Sequence, residues 1–381
     1  MSTYLQIIPI ANKIIQKYDL CDHCLGRLFS KQLHLSSNKL LGKKLNNEYN
    51  SQNKCHICKN LFFNLDHFLK LMIDVSSDYE FKTFSIGIVI KPSIVDRDDS
   101  LKSEFRLRGI ESVKIDISKE LGKLFSKKTK KIIDSNDPEL FFTINLKDES
   151  CKLHSKPIVL SGRYAKSMRG IPQKQKSCNN CSGKGCRSCD FHGISEFNSV
   201  EGIISKLIFK KFGGTTAKFA WIGGEDKSSL VMGVGRPFFV KLQHPFRRKT
   251  MLSDFDSDFI SISNLKIINN FPKTSLKFIS IINIKISTNS QIDSKNLKNL
   301  KNLKNSLITV FEKSGKKFEK KIFSVKYKKN SNYVFEMTIK AEGGLPIKRF
   351  VIGTDIFPNI STLVNSSCIP QEFDFLEIIV Q

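Results

Sequence analysis

The sequence predicts an α+β chain of two or three domains, and three observations lead there. Apolar residues recur at helical spacing at the start of the chain and again near its middle, whereas past residue 212 they alternate with polar ones as strands do. Eight of the ten cysteines fall into four CxxC pairs, and the pairs gather in two regions. The length, 381 residues with 40 % hydrophobic, lets each domain bury its own core and excludes a disordered tail.

Taken in order, Ile7, Ile8, Ile10, Ile14 and Ile15 repeat at helical spacing and predict an amphipathic first helix packed on a core. Residues 1–75 carry the first two CxxC pairs in a helical setting rich in Leu and Phe. Over 76–160, strand-like stretches at 83–90 and 140–145 flank a predicted helix at 111–125 with a basic patch at 127–131 behind it, a small α/β module. The Gly- and Arg-rich segment 162–173 leads into a compact cysteine cluster at 178–189. A helix is predicted over 199–212, with Val200, Ile203, Ile204, Leu207 and Ile208 on one face. Strands then run to the end, interrupted at 295–304 by a KNL repeat expected to be a solvated helix or loop whose lysines can touch phosphate. No apolar run approaches the ~20 residues that span a bilayer; the best, 278–286, is broken by polar residues and reads as strand. The start lacks a basic stretch followed by a long apolar one, so no secretory signal is expected and the cytoplasm is the expected location.

A formal net charge of +26 attracts polyanions, of which nucleic acid is the commonest. Lys, Asn and Ile are abundant throughout, as an A/T-biased coding sequence would produce, so part of that excess carries no function and the charge does not choose between RNA and DNA.

Without an export signal, cysteines at CxxC spacing indicate zinc rather than disulfides. Cys21, Cys24, Cys55 and Cys58 can complete one tetrahedral site, with a helix inserted between the pairs. Cys178, Cys181, Cys186 and Cys189 form a tighter one, where Gly183 and Gly185 free the backbone for a sharp turn. Neither set leaves an open ligand position, so structural zinc is expected and no organic cofactor. Lys184 and Arg187 in the second loop are placed to meet phosphate or to brace the fold. Cys151 and Cys368 have no CxxC partner and read as ordinary thiols.

Three further segments carry chemistry. In SGRYAKSMRGIPQ (161–173), Arg163, Lys166 and Arg169 interleave with Tyr164, a pattern suited to RNA backbone and an unstacked base, though equally to a basic surface loop. In 221–248, two glycines precede Glu225 and Asp226, and 228–232 reads as a strand; an aspartate at a strand mouth is a common nucleophile position, and an acidic pair after glycines is also a common turn. In 340–355, a strand and two glycines precede Ile347 and Lys348; a Lys348–Asp226 pair would hold that carboxylate ionised.

Together these segments resemble the archaeal and eukaryotic tRNA pseudouridine synthases that modify T-arm uridines 54 and 55. CDHCLGRLF, CHIC, GRYAKSMRGIPQ, the tight cysteine cluster, GGEDKSSLVMGVGRPF and AEGGLPIKRFV occur in order, and the resemblance spans almost the whole chain. It implies a zinc-containing THUMP-like RNA-binding domain over 1–160 and a pseudouridine-synthase domain on a mixed β-sheet over 161–381. It implies Asp226 as nucleophile and Lys348 as its basic partner. Phe278, Pro346, Ile347, Arg163, Tyr164, Arg169 and Arg236 are then expected near the substrate, with Ile347 beside the uracil and Arg236 in a GRPF segment that supports the sheet. The implied partner is the tRNA T-arm, with no membrane and a monomeric enzyme. The chain departs from the pattern at Gly224, where many relatives have Arg, and at Phe278 and Pro346, where the family usually has Tyr. A non-catalytic zinc-containing tRNA-binding protein or RNA chaperone is the rival reading. A THUMP-linked methyltransferase or thiolation enzyme would need a glycine-rich nucleotide loop that the chain lacks.

Overall fold

The computed structural model describes residues 2–33, 37–46 and 54–381. The chain divides into two compact units, Met1–Lys156 and Pro157–Gln381, each with its own hydrophobic core. The division falls four residues before the expected 160/161, because the strand Ile158–Lys166 belongs whole to the second sheet.

In the first unit, helix Ser2–Lys17 buries Ile7, Ala11 and Ile14 and leaves Ile10 exposed. Helices Asp22–Leu33 and Asn38–Leu45 follow. These two approach so closely at Gly26 and Gly42 that a Cβ on Gly26 would enter the Asn38 carbonyl, and one on Gly42 the Asp22 carbonyl. Helix Leu65–Ser76 completes the helical part. A four-stranded sheet then pairs Thr83–Val89 in parallel with Ile132–Ile133 and with Leu140–Asn145, which pairs antiparallel with Ser150–Ser155. Helix Val113–Thr129, capped by the Ser112 side chain on the Ile115 N–H, packs Ile117, Leu121 and Phe125 into the core beside Phe84 and Phe142. Two of the patch lysines, Lys127 and Lys128, sit in its last turn, where the helix dipole favours cations.

The second unit is one eleven-stranded sheet. Ten of its strands run in the order Ile356–Phe357, Leu307–Phe311, Lys317–Lys329, Val334–Glu342, Phe278–Thr288, Cys368–Val380, Val231–Leu242, Ile158–Lys166, Ile260–Ile268, Phe255–Asp256, and Ala217–Trp221 pairs with Val231–Leu242. Every pairing is antiparallel except that of Cys368–Val380 with Val231–Leu242, joined at Phe375 and Val231, so the sheet is mixed. The polar-interrupted stretch at 278–286 is a strand buried between two neighbours, and no described helix is long and apolar enough to cross a membrane. Helix Val200–Phe212, capped by Ser199, buries Val200, Ile204, Leu207 and Ile208.

Two local expectations change. The KNL repeat is not fully solvated: it folds as a short α-helix, Ser294–Lys298, running into a 3₁₀ turn, Asn299–Leu303. A repeat of three matches the three residues per turn of a 3₁₀-helix, so Leu297, Leu300 and Leu303 all reach the core while Lys298, Lys301 and Lys304 stay exposed. The strand expected over 228–232 begins only at Val231, because residues 226–229 make a turn closed from Ser229 N–H to the Asp226 carbonyl at 3.0 Å.

Candidate active site and metal centres

Asp226 lies in the connection between strands Ala217–Trp221 and Val231–Leu242. Its Oδ1 accepts from the Ser228 N–H at 3.0 Å and from the Ser228 hydroxyl at 2.7 Å, an Asx-type turn within the loop. Its Oδ2 accepts from Lys348 Nζ at 2.6 Å. Lys348 reaches it from the first turn of helix Ile347–Ile352, which follows the strand Val334–Glu342 across Gly343 and Gly344. The ammonium beside it, with the Ser228 bonds, holds the Asp226 carboxyl down to about 2, so it is ionised at neutral pH. Both ends of the pair meet solvent, the Asp226 side chain at 29 % exposure and Lys348 at 54 %.

The loop carrying Asp226 is fixed from behind by buried charge. Glu225, Lys166 and Arg236 all have 0 % side-chain exposure; Glu225 Oε1 lies 3.1 Å from Lys166 Nζ and Oε2 lies 3.3 Å from Arg236 Nε. Tyr164 donates its hydroxyl hydrogen to Glu225 Oε2 at 2.9 Å, and burial pushes that phenol well above its usual range. Lys166 Nζ also donates to the carbonyls of Ile171, Asp226 and Lys227 at 3.0, 3.4 and 3.4 Å. Arg236 donates to the Ile222 carbonyl at 2.7 Å and stacks its guanidinium 4.2 Å over the Phe375 ring. Gln173 donates to Tyr164 and to the Gly223 carbonyl at 2.9 and 3.3 Å. Arg169 donates to the Ser228 carbonyl at 2.5 Å and grips Asp374 through both terminal nitrogens at 2.6 and 2.8 Å. Asp374 in turn accepts from the Leu230 N–H at 2.9 Å.

This arrangement corrects the expected role of segment 161–173. Tyr164 and Arg236 are sealed in the interior and cannot touch a substrate base or phosphate. Arg169 is spent on the Asp226 loop and Asp374, and Arg163 donates to the carbonyls of Val234, Gly235 and Ile378 at 2.7–3.2 Å. Tyr164, Lys166, Arg169 and Arg236 thus form the cradle of the acidic loop, while Arg163 ties its own strand to Val231–Leu242 and Cys368–Val380. Lys166, expected to face RNA, and Glu225, expected only as the neighbour of Asp226, are instead a buried ion pair, and strand parity signals the first of them: along Ile158–Lys166 the buried face runs Leu160, Gly162, Tyr164, Lys166.

Phe278 sits at the start of its strand, its ring packed against the backbone at Gly223 and Gly343, so it bridges the loop that leads to Asp226 and the one that leads to Lys348. Ile347 is buried in the core and Pro346 is half-buried at the helix N-cap.

In each cysteine set all four sulfurs lie within 4.8 Å of one another. Cys21 and Cys58 sulfurs are 3.6 Å apart, Cys181 and Cys189 3.9 Å, and Cys186 and Cys189 3.7 Å. Tetrahedral zinc with bonds of about 2.3 Å sets sulfurs about 3.8 Å apart, so the separations fit a shared zinc and are far too long for disulfides. In the first set, Cys21 and Cys24 flank the start of helix Asp22–Leu33, and the His56 N–H donates to the Asp19 carbonyl at 2.7 Å to tie the two pairs together. In the second, Cys181 Sγ accepts from the Gly185 N–H at 3.2 Å, and Cys189 Sγ from the Cys186 and Gly193 N–H groups at 3.3 Å each, contacts that orient thiolate ligands. Gly183 and Gly185 take φ of +86° and +89° there, and a Cβ on Gly185 would lie 2.6 Å from the Phe191 carbonyl oxygen. His192 stacks on Phe209 at 3.8 Å and anchors this knuckle to helix Val200–Phe212.

Residues 159–379 match the family described as "Pus10, C-terminal", and residues 68–145 match "Pus10 THUMP domain, archaeal". The chain is 60 % identical over 381 residues to "tRNA pseudouridine synthase Pus10" of Nitrosopumilus maritimus, covering 100 % of both chains. It is 35 % identical to the protein of that name from Cenarchaeum symbiosum, over 96 % of this chain and 90 % of the relative. With the one from Methanosphaera stadtmanae it shares 27 %, over 95 % and 96 %. These matches carry the expected architecture, a THUMP domain within the first unit and a Pus10 C-terminal domain filling the second.

Proposed function

This chain belongs to the Pus10 family, and on that premise we propose that it isomerises uridine to pseudouridine in the T-arm of tRNA, at position 54, 55 or both, with Asp226 as nucleophile. The observation that supports Asp226 most is its placement: an ionised, part-exposed carboxylate paired to Lys348 on a loop held from behind by the buried Lys166, Arg236 and Gln173. A nucleophile needs that combination of a free charged form and a fixed position.

In this reading the basic surface docks folded tRNA by charge and shape, and the target uridine flips out to stack beside Phe278. Asp226 acts on the ribose or uracil so that the C1′–N1 bond breaks; the uracil turns and a C1′–C5 bond forms. The C5 proton leaves and N1 gains one, so the net change is an isomerisation with no redox partner. Lys348 keeps Asp226 charged and adds positive potential where the phosphates approach. Phe278 offers a stacking face but no hydroxyl, so it takes no proton. Zinc held by Cys21, Cys24, Cys55 and Cys58, and by Cys178, Cys181, Cys186 and Cys189, would supply folding stability, not a step of the reaction. One chain carries the whole proposed site, as a monomer requires, and the cytoplasm is proposed as its location on the kinship with tRNA-modifying enzymes.

The test is carbodiimide primer-extension mapping of unmodified tRNA incubated with wild-type protein and with Asp226→Asn. A new T-loop stop that vanishes in the variant while tRNA affinity stays within about twofold would support the assignment. Tight binding without a stop from the wild type would favour a binding protein instead, and residual turnover in the variant would remove Asp226 as nucleophile.

A further inference from the structure

Resting on that reading, we infer that a cavity beside Phe278 is a phosphate-binding subsite for the RNA strand next to the flipped uridine, with Lys277 and Lys320 as its cations. The cavity has a volume of about 330 Å³ and is lined by Lys277, Phe278, Lys320, Glu342 and Gly343 among others. Lys277 is exposed and Lys320 half-buried, so both ammonium groups are open to a ligand, and neither forms an ion pair among the described residues. Lys320 Nζ is within 3.6 Å of where a Cβ on Gly344 would stand, which puts it against the glycine turn leading to Lys348. Glu342, the acidic member of the lining, turns one oxygen to the Lys321 N–H at 3.1 Å.

Position ties the cavity to the proposed chemistry. Phe278, one of its walls, also packs on Gly223, three residues before Asp226, a span of at most about 11 Å of chain. The lining residue Gly343 is backed by the same ring and donates its N–H to the Phe278 carbonyl at 2.7 Å. A strand whose base stacks near Phe278 therefore has its own backbone within reach of two lysines. The lining sets two lysines, Ser275 and Gln381 beside the Phe278 ring and Leu276, with Glu342 as the side-chain carboxylate among them, so a phosphodiester finds two cations there while its neighbouring base finds an apolar wall. Lys298, Lys301 and Lys304, an exposed row carried by the KNL repeat, line no part of this cavity and serve as a control for net charge.

The experiment measures steady-state pseudouridine formation on unmodified tRNA from 50 to 200 mM salt. It compares wild type, K277A/K320A, K277R/K320R and K298A/K301A/K304A, with near-UV circular dichroism as a check of folding. Loss of two charged contacts should raise KM about tenfold or more. One phosphate no longer neutralised should flatten the log KM against log salt slope by about 0.7, the single-strand value. The kcat of K277A/K320A should stay within about twofold, and the arginine pair should restore KM and slope. An unchanged KM and slope in K277A/K320A would overturn the subsite, and so would an equal effect from the triple control. Failure of the proposed activity looks different: the wild type itself would make no pseudouridine. Filter binding of a single-stranded T-arm oligonucleotide would then still read the two lysines directly, with the same weakening expected in K277A/K320A and its absence refuting the subsite.

Discussion

Replacing Glu225 by Gln removes the carboxylate that pairs with two fully buried cations in the second unit, and its cost follows from the geometry. Lys166, Glu225 and Arg236 are each fully buried, with ion-pair distances of 3.1 and 3.3 Å. Glutamine keeps the volume and a hydrogen-bond acceptor for Tyr164, so packing changes little; what remains is two buried positive charges without a counter-ion. Breaking a buried pair by neutralising one partner costs about 3–5 kcal/mol. For a unit of this size each kcal/mol lowers Tm by about 2–4 °C, so the second unit should melt roughly 6–20 °C lower at pH 7. Differential scanning calorimetry of the full chain reads this. Adding Lys166→Met to Glu225→Gln removes one stranded cation, and the double variant should melt above the single one. A fall of less than about 2 °C in Glu225→Gln, or a double variant that falls by the sum of its parts, would refute the view that this cluster is held by charge compensation. Because Lys166 also binds the carbonyls of Asp226 and Lys227, turnover should fall with the Tm, even at temperatures where the variant is folded.

Other perturbations test the remaining links. Asp226 titrates at about 2 against an ordinary 3.8, so its contribution to stability is full above about pH 4 and is lost as the pH falls through 2. Lys348→Met removes the largest cause of that depression, and carboxyl NMR should show the Asp226 titration move up toward 3.8, with no movement counting against the pairing. Metal analysis of protein expressed with zinc should give two ions per chain; Cys24→Ser should lose one and destabilise the first unit, Cys189→Ser the other and the second unit. Gly26→Ala should lower the first unit's stability by more than about 1 kcal/mol in urea unfolding, since the new methyl meets the Asn38 backbone carbonyl, whereas helix propensity alone would favour alanine.

Much of the molecule was legible because the signals were local. CxxC spacing is a property of one turn, and both cysteine sets close around a common point. Helical periodicity marked 199–212, and the polar-interrupted run at 278–286 read as the strand it is. The KNL repeat is helical with its lysines in solvent as expected, but its leucines are not solvated, because a period of three suits the 3₁₀ turn that buries Leu300 and Leu303.

Local pattern tells which residue types sit where along the chain: an acidic pair after glycines, a lysine in a late motif, cations around a tyrosine. Packing in three dimensions selects which of them meet and which face water. Asp226 and Lys348 are 122 residues apart and come together only because strands Val231–Leu242 and Val334–Glu342 share one sheet. Lysine, arginine and tyrosine carry an apolar stem and a polar tip, so composition reads the same whether they face RNA or the interior. The parity of strand Ile158–Lys166 sent Tyr164 and Lys166 inward, and Glu225, which neutralises Lys166 together with Arg236 from the neighbouring strand, completes the buried group that holds the loop carrying Asp226.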